Sequence, residues 1–213
     1  MSVGSVGLIL LAAGASSRLR EGQKGDGTPK QLLPWTNGRS LLRHAAETAL
    51  ASLCRPVVIV LGARREQMEN ELGDLPDIHI AHNPDWAQGM GASIRAGVRA
   101  LLLNTAVTPA AAVITLCDQP LVTPALIDAL VSAHFTSGKP VVAAEYDGTR
   151  GVPALFSHAL FDDLLGLDGA QGAKHLIAQH GSDAVHVVPF PGGEADIDTL
   201  DDYERLRAEH QHA

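Results

Sequence analysis

The chain has 213 residues, of which 46% are hydrophobic, and it carries a formal net charge of −8. This length and apolar content predict one folded domain over residues 1–213 and exclude general disorder. The acidic balance argues against binding to nucleic acids or to anionic membrane surfaces. Cys54 and Cys117 are the two cysteines, which is typical of a reducing cytoplasm and indicates no disulfide framework. The apolar run Val6–Ala13 is too short to span a bilayer and lacks a basic flank, so we expect neither an anchor nor a signal peptide.

Short apolar runs alternate with longer amphipathic segments along the first two thirds of the chain. The runs predict strands at Val6–Ala13, Pro56–Leu61, Ile78–His82, Ala110–Cys117 and Pro140–Tyr146. The amphipathic segments predict helices at Ser40–Leu53, Arg64–Leu72, Gly91–Leu103 and Thr123–Phe135. Fully apolar short strands separated by helices form parallel sheets that are covered on both faces. The pattern therefore predicts an α/β fold with a mostly parallel central sheet.

The pattern becomes less regular after Gly151. Strands are predicted at Val152–Phe156 and Ala184–Pro189, around helical segments at His158–Leu165 and Gly172–His180. Thr123 followed by proline predicts a helix start, and Thr199 with Asp202 forms the capping-box pattern of a final helix. No linker or internal repeat divides the chain, so a single domain is expected.

Small and basic residues follow the first predicted strand. Gly14 to Ser17 carry little side-chain bulk, so their backbone N–H groups can approach an anion, and Arg18 and Lys30 add positive charge. Ligands of parallel sheets bind beyond the carboxyl ends of the strands, where this segment lies. The composition predicts a phosphate-binding loop, although a solvated surface loop is the alternative. The segment matches neither a Walker loop nor a dinucleotide fingerprint.

Carboxylates occupy two further positions next to predicted elements. Asp118 follows the apolar run VITLC, and Pro120 prevents the strand from continuing. Asp196 and Asp198 precede the final helix and would point the same way in extended backbone. Hard oxygen ligands of this kind suit Mg²⁺ that also binds phosphate. The alternatives are a turn aspartate at position 118 and an acidic helix start for the pair.

Five motifs occur in order along nearly the whole chain: LAAGASSRL…PKQLLPW, NPDWAQGMGASIRAG, CDQPLVTP, GVPALF…GAQGAK and DIDT. Together they resemble the motifs of the MobA-like nucleotidyltransferases, and among these the molybdenum cofactor cytidylyltransferases are the most similar. The resemblance implies a Rossmann-like, three-layer nucleotidyltransferase fold. It also implies Mg²⁺-dependent transfer of CMP from CTP to a phosphorylated acceptor, molybdopterin or molybdenum cofactor, with release of pyrophosphate. A cytoplasmic location and a client molybdoenzyme are further implications.

The resemblance assigns roles to individual residues. Arg18 and Lys30 are the implied catalytic cations at the triphosphate, and Asp118 is the implied Mg²⁺ ligand. Asp198, and with it Asp196, matches a second metal-binding position. The implied nucleotide-binding residues are Leu11, Ala12, Ala13, Gly14, Ala15, Ser16, Ser17, Arg18, Lys30 and Ser93. Ala13 stands where guanylyl-transferring relatives usually carry glycine, which implies a preference for CTP over GTP.

Three departures from the family pattern concern mainly the acceptor. An insertion, EGQKGDGT, lengthens the spacing from Arg18 to Lys30, and we expect Gly22–Thr28 to become ordered when triphosphate binds. Gly151-Val152-Pro153 replaces Gly-His-Pro, and Gly169–Lys174 replaces Gly-Asp-x-Gly-Ala-Arg. The acceptor therefore stays open. The alternatives are guanylyl transfer to molybdopterin, transfer to a sugar phosphate or methylerythritol phosphate, an auxiliary role in molybdoenzyme maturation, and a nicotinamide-dependent redox protein on the same scaffold.

Overall fold

The computed structural model describes residues 4–15 and 28–211. Ser16, Ser17, Arg18 and positions 22–27 of the insertion, on which several predictions depend, lie outside the described residues. The strands are β1 (Val6–Leu11), β2 (Val57–Leu61), β3 (Ile78–His82), β4 (Ala111–Leu116), β5 (Val141–Tyr146), β6 (Thr149–Ser157) and β7 (Val185–Pro189). The helices are α1 (Leu41–Ala51), α2 (Arg65–Leu72), α3 (Met90–Leu103), α4 (Pro124–Ser137), α5 (Phe161–Leu165), α6 (Ala173–Gln179) and α7 (Leu200–Gln211).

The described strands form one seven-stranded sheet in the order β3-β2-β1-β4-β6-β5-β7. β1 to β4 pair in parallel, as do β5 and β7, whereas β6 runs antiparallel to both of its neighbours. The prediction of a mostly parallel sheet is therefore confirmed. Leu11 of β1 aligns with Leu116 of β4, and the Cys117 N–H donates to the Leu11 carbonyl at 3.1 Å. This register brings the two polar segments after β1 and β4 side by side.

A hydrophobic cluster covers each face of the sheet. Leu8 and Leu10 of β1 pack in one cluster with residues of α1, α2 and α4. Ile9 and Leu11 pack in the other with residues of α3, α5 and α6. Because successive strand residues point to opposite faces, the buried strands must be apolar throughout, which explains their continuous hydrophobic runs. The result is the expected three-layer α/β arrangement.

A third, smaller cluster attaches α7 to the segment that follows Lys30. Ile197, Tyr203 and Leu206 pack against Leu33, Trp35 and Leu41. The Tyr203 hydroxyl also donates to the Pro34 carbonyl. This packing brings the acidic segment before α7 next to the polar residues after β1, although they are far apart in the sequence.

Several boundaries differ from the predictions for local reasons. β1 ends at Leu11 rather than Ala13, and the segment predicted as one helix at His158–Leu165 is a short 3-10 turn followed by α5. β6 starts at Thr149 rather than Val152, because Asp147 and Gly148 (φ 46° and 65°) form a tight turn that pairs it with β5. The helix starts predicted at Thr123 and Thr199 are confirmed by their side-chain caps. Among the described residues, no helix has the length and apolar content needed to cross a bilayer.

Candidate functional site

A cavity of about 430 Å³ lies at the carboxyl ends of β1 and β4. Its lining includes residues that the sequence had indicated: Leu11, Ala12, Ala13, Gly14, Ala15, Lys30, Ser93, Asp118 and Asp198. Other lining residues were not predicted: Gln31, Trp86, Gly89, Met90, Leu116 and Cys117. The fold therefore brings together candidate residues from four separate motifs.

The backbone turn after β1 is fixed by its neighbours and open toward the cavity. The Ala12 N–H donates to the Val60 carbonyl at 2.9 Å, and the Ala13 carbonyl accepts from the Ala63 N–H at 3.1 Å. The buried Gln31 amide donates to the Gly14 carbonyl at 2.8 Å. A Cβ atom placed on Gly14 would have Gln31 Nε2 as its nearest neighbour, at 4.0 Å. Among residues 4–15 and 28–211, no other atom comes as near to this side of Gly14, so the turn offers a backbone surface of the kind that phosphate groups bind.

Lys30 bridges two carboxylates at the edge of the cavity. Its Nζ donates to Asp118 Oδ2 at 2.8 Å and to Asp198 Oδ1 at 3.3 Å. Burial lowers the pKa of the ammonium, but the charges of Asp118 and Asp198 and the hydrogen bond to Asp118 raise it more, so its pKa lies above its ordinary value. Lys30 therefore stays positively charged at neutral pH, which is the state that phosphate binding requires.

Asp118 also carries an oxygen that faces no donor. Its Oδ1 is buried and has no hydrogen-bond partner within residues 4–15 and 28–211. A buried acceptor without a partner is costly unless a cation or ligand satisfies it. The same residues contain no group of three or more histidine, cysteine or acidic side chains that could hold a metal by itself. Asp118 and Asp198 nevertheless fit Mg²⁺, which is commonly held by one or two carboxylates together with substrate phosphates.

Asp196 and Asp198 do not play equivalent parts in the structure. Between them, the buried Ile197 donates its backbone N–H to the Asp118 carbonyl at 3.0 Å, which anchors the segment. Asp198 contacts Lys30 and lines the cavity, whereas Asp196 is an exposed residue outside the lining. Partial desolvation of its carboxyl, together with repulsion from Asp118, raises the pKa of Asp196 to about 6. The geometry therefore favours Asp198 as the partner of Asp118 in binding a cation.

The opposite wall of the cavity is formed by the start of α3. The buried Asn83 amide donates to the Ser93 hydroxyl oxygen at 3.0 Å, which fixes the Ser93 side chain. Trp86 packs against Gly62 so closely that a Cβ there would lie 2.6 Å from the Trp86 Cβ. Trp86 and Gln31 were not predicted from the sequence. Both lie inside the family motifs, but no other feature of the sequence distinguishes them from core residues.

Cys117 lines the cavity but is not a candidate nucleophile. Burial raises the pKa of its thiol well above its ordinary value. The group that attacks in cysteine chemistry is the thiolate, so a thiol that stays protonated is unreactive. Among the described residues, the candidate chemical groups of this cavity are therefore Lys30, the carboxylates and the backbone turn.

The start of α3 is held by a glycine-rich loop from the carboxyl-terminal part of the chain. The Gly91 N–H donates to the Gly169 carbonyl at 3.0 Å. A Cβ on Gly91 would lie 2.0 Å from the Asp168 carbonyl oxygen, and one on Gly89 (φ 115°) would lie 2.4 Å from the Gly169 carbonyl oxygen. Side chains at these positions would therefore separate the two segments. The segments Gly89–Gly91 and Gly169–Gly172 therefore pack directly against each other behind the cavity wall.

Comparisons with known proteins place these features in a family. The chain is 40% identical over 126 residues to the nicotine blue oxidoreductase of Paenarthrobacter nicotinovorans, covering 59% of this chain and 55% of the relative. It is 34% identical over 97 residues to the molybdenum cofactor cytidylyltransferase of Escherichia coli (strain K12), covering 46% of each. The matched part of the chain spans about half the length of these curated relatives.

A solved structure extends the comparison to the whole fold. Rv0371c from Mycobacterium tuberculosis H37Rv superposes with a TM-score of 0.78 at 26% identity, covering 97% of this chain and 100% of that chain. The model of the MobA-like NTP transferase domain matches residues 8–185, which is most of the sequence. This chain therefore belongs to the MobA-like NTP transferase domain family.

Proposed function

We propose that this protein is a metal-dependent nucleotidyltransferase that transfers CMP from CTP to a phosphorylated acceptor and releases pyrophosphate. The observation that carries this proposal is the Lys30 bridge between Asp118 and Asp198, beside the open backbone turn at Gly14. A fixed cation, an anion-binding turn and a pair of carboxylates are the parts that phosphoryl chemistry needs in one cavity. Family membership and the cytidylyltransferase relative support the same reaction class.

In the proposed reaction, a phosphate oxygen of the acceptor attacks the α-phosphorus of CTP. One P–O bond forms, and the bond from the α-phosphorus to the bridging oxygen of pyrophosphate breaks. The acceptor phosphate is already anionic at neutral pH, so no protein nucleophile is required. What the protein contributes is positioning and charge stabilisation of the pentacoordinate phosphorus and of the leaving group.

The proposed roles follow from the positions of the side chains. Lys30 donates to the phosphates, and the backbone N–H groups near Gly14 orient the triphosphate along the turn. Asp118 and Asp198 would hold Mg²⁺, which when bound neutralises charge on the phosphates. Arg18, with Ser16 and Ser17, is expected to contribute to the same loop, but these residues lie outside the described part of the chain.

The base preference is proposed from Ala13. Its carbonyl is held by Ala63, and a Cβ on Gly62 would lie 2.8 Å from that carbonyl oxygen, so the Ala13 backbone has no room to retreat toward β2. Ala13 lines the cavity, and its methyl group leaves less space at the wall than glycine would. A pyrimidine tolerates this loss better than a purine. A methyl group at such a wall typically discriminates by about 1–3 kcal/mol.

Pyrophosphate release tests the reaction and the base preference together. The purified protein is assayed with CTP, GTP, UTP and ATP, each with and without molybdopterin. We expect release that depends on Mg²⁺ and on the acceptor, with a specificity constant for CTP about 10- to 100-fold above that for GTP. A preference for GTP would assign guanylyl transfer, and no release with any nucleotide would contradict nucleotidyl transfer.

The acceptor is proposed from the relatives, because the sequence departs from the family pattern in the part that would bind it. We propose molybdopterin, because one relative is a molybdenum cofactor cytidylyltransferase, with a client molybdoenzyme as a further partner. Val152 and the segment Gly169–Lys174 depart from the family pattern. Sugar phosphates and methylerythritol phosphate are therefore the comparison acceptors in the same assay.

A redox function is the second candidate, because the oxidoreductase relative is 40% identical. The segment after β1 lacks a dinucleotide fingerprint, which argues against a nicotinamide cofactor in this cavity. Thermal-shift measurements with CTP plus Mg²⁺ and with NADPH separate the two candidates. Stabilisation by the first ligand alone supports transfer, whereas stabilisation by NADPH alone supports the redox function.

A further inference from the structure

The space between Asp118 and Asp198 is filled by the Lys30 ammonium group. The Lys30 side chain is only 12% exposed, and its Nζ lies 2.8 Å from Asp118 Oδ2 and 3.3 Å from Asp198 Oδ1. These carboxylates are the ones that fit a divalent cation. A metal ion bound by these two carboxylates would lie close to the ammonium group, and two cations repel strongly at such short range.

The backbone that carries Lys30 is fixed, but its side chain can move. The Leu33 N–H donates to the Lys30 carbonyl at 3.1 Å, and the neighbouring Gln31 is tied to Gly14. The ammonium group stands on a flexible four-carbon stem. A triphosphate bound along the Gly14 turn would offer this group a more highly charged anion within the same cavity.

We propose that Lys30 is an internal counter-ion that keeps divalent cations off Asp118 and Asp198 until a nucleotide triphosphate draws its ammonium group away. This inference rests on the proposed function, because it assigns the order in which that site is filled. The metal then enters with the nucleotide rather than before it. Binding of metal and binding of triphosphate strengthen each other, and by linkage the effect is reciprocal.

Metal binding in the absence of nucleotide tests the proposal without using turnover. Mn²⁺ is titrated into the protein while the signal of free Mn²⁺ is followed by electron paramagnetic resonance. We expect Lys30→Met, which keeps the length of the side chain and removes its charge, to bind Mn²⁺ at least about 10-fold more tightly than the unmodified protein. Equal or weaker binding by Lys30→Met would overturn the proposal.

A matched control separates the local effect from the change in net charge. Lys139 contacts the Asp183 carbonyl next to the amino end of β5. β5 runs in the same direction as β4, so Lys139 lies at the end of the sheet opposite the cavity. Lys139→Met removes the same charge and should leave Mn²⁺ binding unchanged. Tightening by both variants to the same extent would show a general charge effect and would contradict the role of Lys30.

The unmodified protein provides a second measurement if Lys30→Met does not fold. Mn²⁺ affinity is compared with and without α,β-methylene-CTP, which cannot be cleaved between its α- and β-phosphates. The Mn²⁺ that the analogue chelates in a protein-free sample is subtracted. We expect at least a 10-fold gain with the analogue, and equal affinities would overturn the proposal. Failure here is distinct from failure of the proposed function, because pyrophosphate release is measured separately. Pyrophosphate release by the unmodified protein, together with unchanged Mn²⁺ binding in Lys30→Met, would contradict only the counter-ion role.

Discussion

The chain contains two regions that differ in how their structure is encoded. In the region up to residue 119, four parallel strands are connected through helices, and the candidates Gly14 and Asp118 lie just after strand ends. In the region from residue 120 onward, β5 and β6 form a hairpin, and α5 and α6 have only 5 and 7 residues. Local pattern specifies the first region well, whereas the second depends on contacts with distant segments.

The proposed chemistry nevertheless uses residues of both regions. Asp118 comes from the first region and Asp198 from the second, and Lys30 joins them. The loop at Gly169 supports the wall that contains Gly89 and Ser93. A region with weaker local signals can therefore still decide the geometry of the site, because it is held by packing and backbone hydrogen bonds.

The largest effect is expected at the strand end of the first region. Asp118→Asn should lower metal-dependent turnover about 1,000-fold, about 4 kcal/mol, because it removes the charge opposite the proposed cation. The fold should survive, since the side chain has the same size and is partly exposed. Turnover as a function of Mg²⁺ concentration and a melting curve measure the two effects. Asp163→Asn, at an exposed position of α5, is the control. Normal Mg²⁺ dependence in Asp118→Asn would show that Asp118 only shapes the turn after β4.

Lys30→Ala should reduce kcat about 100-fold, or about 3 kcal/mol, because the charge acts on the transition state. We expect a much smaller loss of stability, since the ion pairs that Lys30 makes are partly solvated. Steady-state kinetics and thermal unfolding on the same sample provide the comparison. Unchanged kcat would favour the interpretation of this segment as a solvated surface loop.

The contact between the two regions can be broken at Gly91. A Cβ there would lie 2.0 Å from the Asp168 carbonyl oxygen, so Gly91→Ala should cost about 2 kcal/mol of unfolding free energy. The KM for nucleotide should rise, because Met90 and Ser93 line the cavity on the same helix. Denaturant unfolding and kinetics measure both. Gly73→Ala, where the nearest contact of the added Cβ is 3.5 Å, should change neither.

The smallest expected effect is on the pH dependence of stability, through the contact between His44 and Pro120 just after Asp118. His44 Nε2 lies 3.0 Å from the Pro120 carbonyl, and burial lowers the pKa of His44 from its ordinary value. Arg39 and His210 lower it further, whereas the hydrogen bond to Pro120 and the charge of Glu47 oppose the shift. His44 therefore binds a proton more readily in the unfolded chain than in the folded one. The neutral His44 contributes its full stability above pH 6.5, and this stability is lost as the pH falls through the folded-state pKa.

The variant His44→Gln should reduce this loss between pH 7.5 and pH 5.5. Glutamine can still donate a hydrogen bond toward Pro120 but does not titrate. Unfolding free energies at both pH values, for the variant and the unmodified protein, give the difference, and we expect the variant to lose less stability at the lower pH. An identical pH dependence in both proteins would contradict the role of His44.

The helix caps and the tight turn of the second region have local sequence signals that could be used to predict them. Thr123 and Thr199 were recognised as helix starts, because the capping hydrogen bonds involve residues only three positions apart. The β5–β6 hairpin was not predicted, although Asp147-Gly148 is a typical tight-turn pair. The irregular apolar pattern around that turn obscured the start of β6, so the strand was placed three residues late.

The amino-acid sequence by itself determined most of the strands, the α/β class and the positions of Gly14 and Asp118 just beyond strand ends. These features depend on residue periodicity and on turn chemistry, which act over a few residues. Only the tertiary structure decided that the Lys30 ammonium group donates to both Asp118 and Asp198, the latter 168 positions away in the sequence. It also decided that Gln31 holds the Gly14 turn and that Asp196 stays outside the cavity. Such contacts depend on the register of β1 with β4 and on the packing of α7, because side chains distant in sequence meet only when the core positions their backbones.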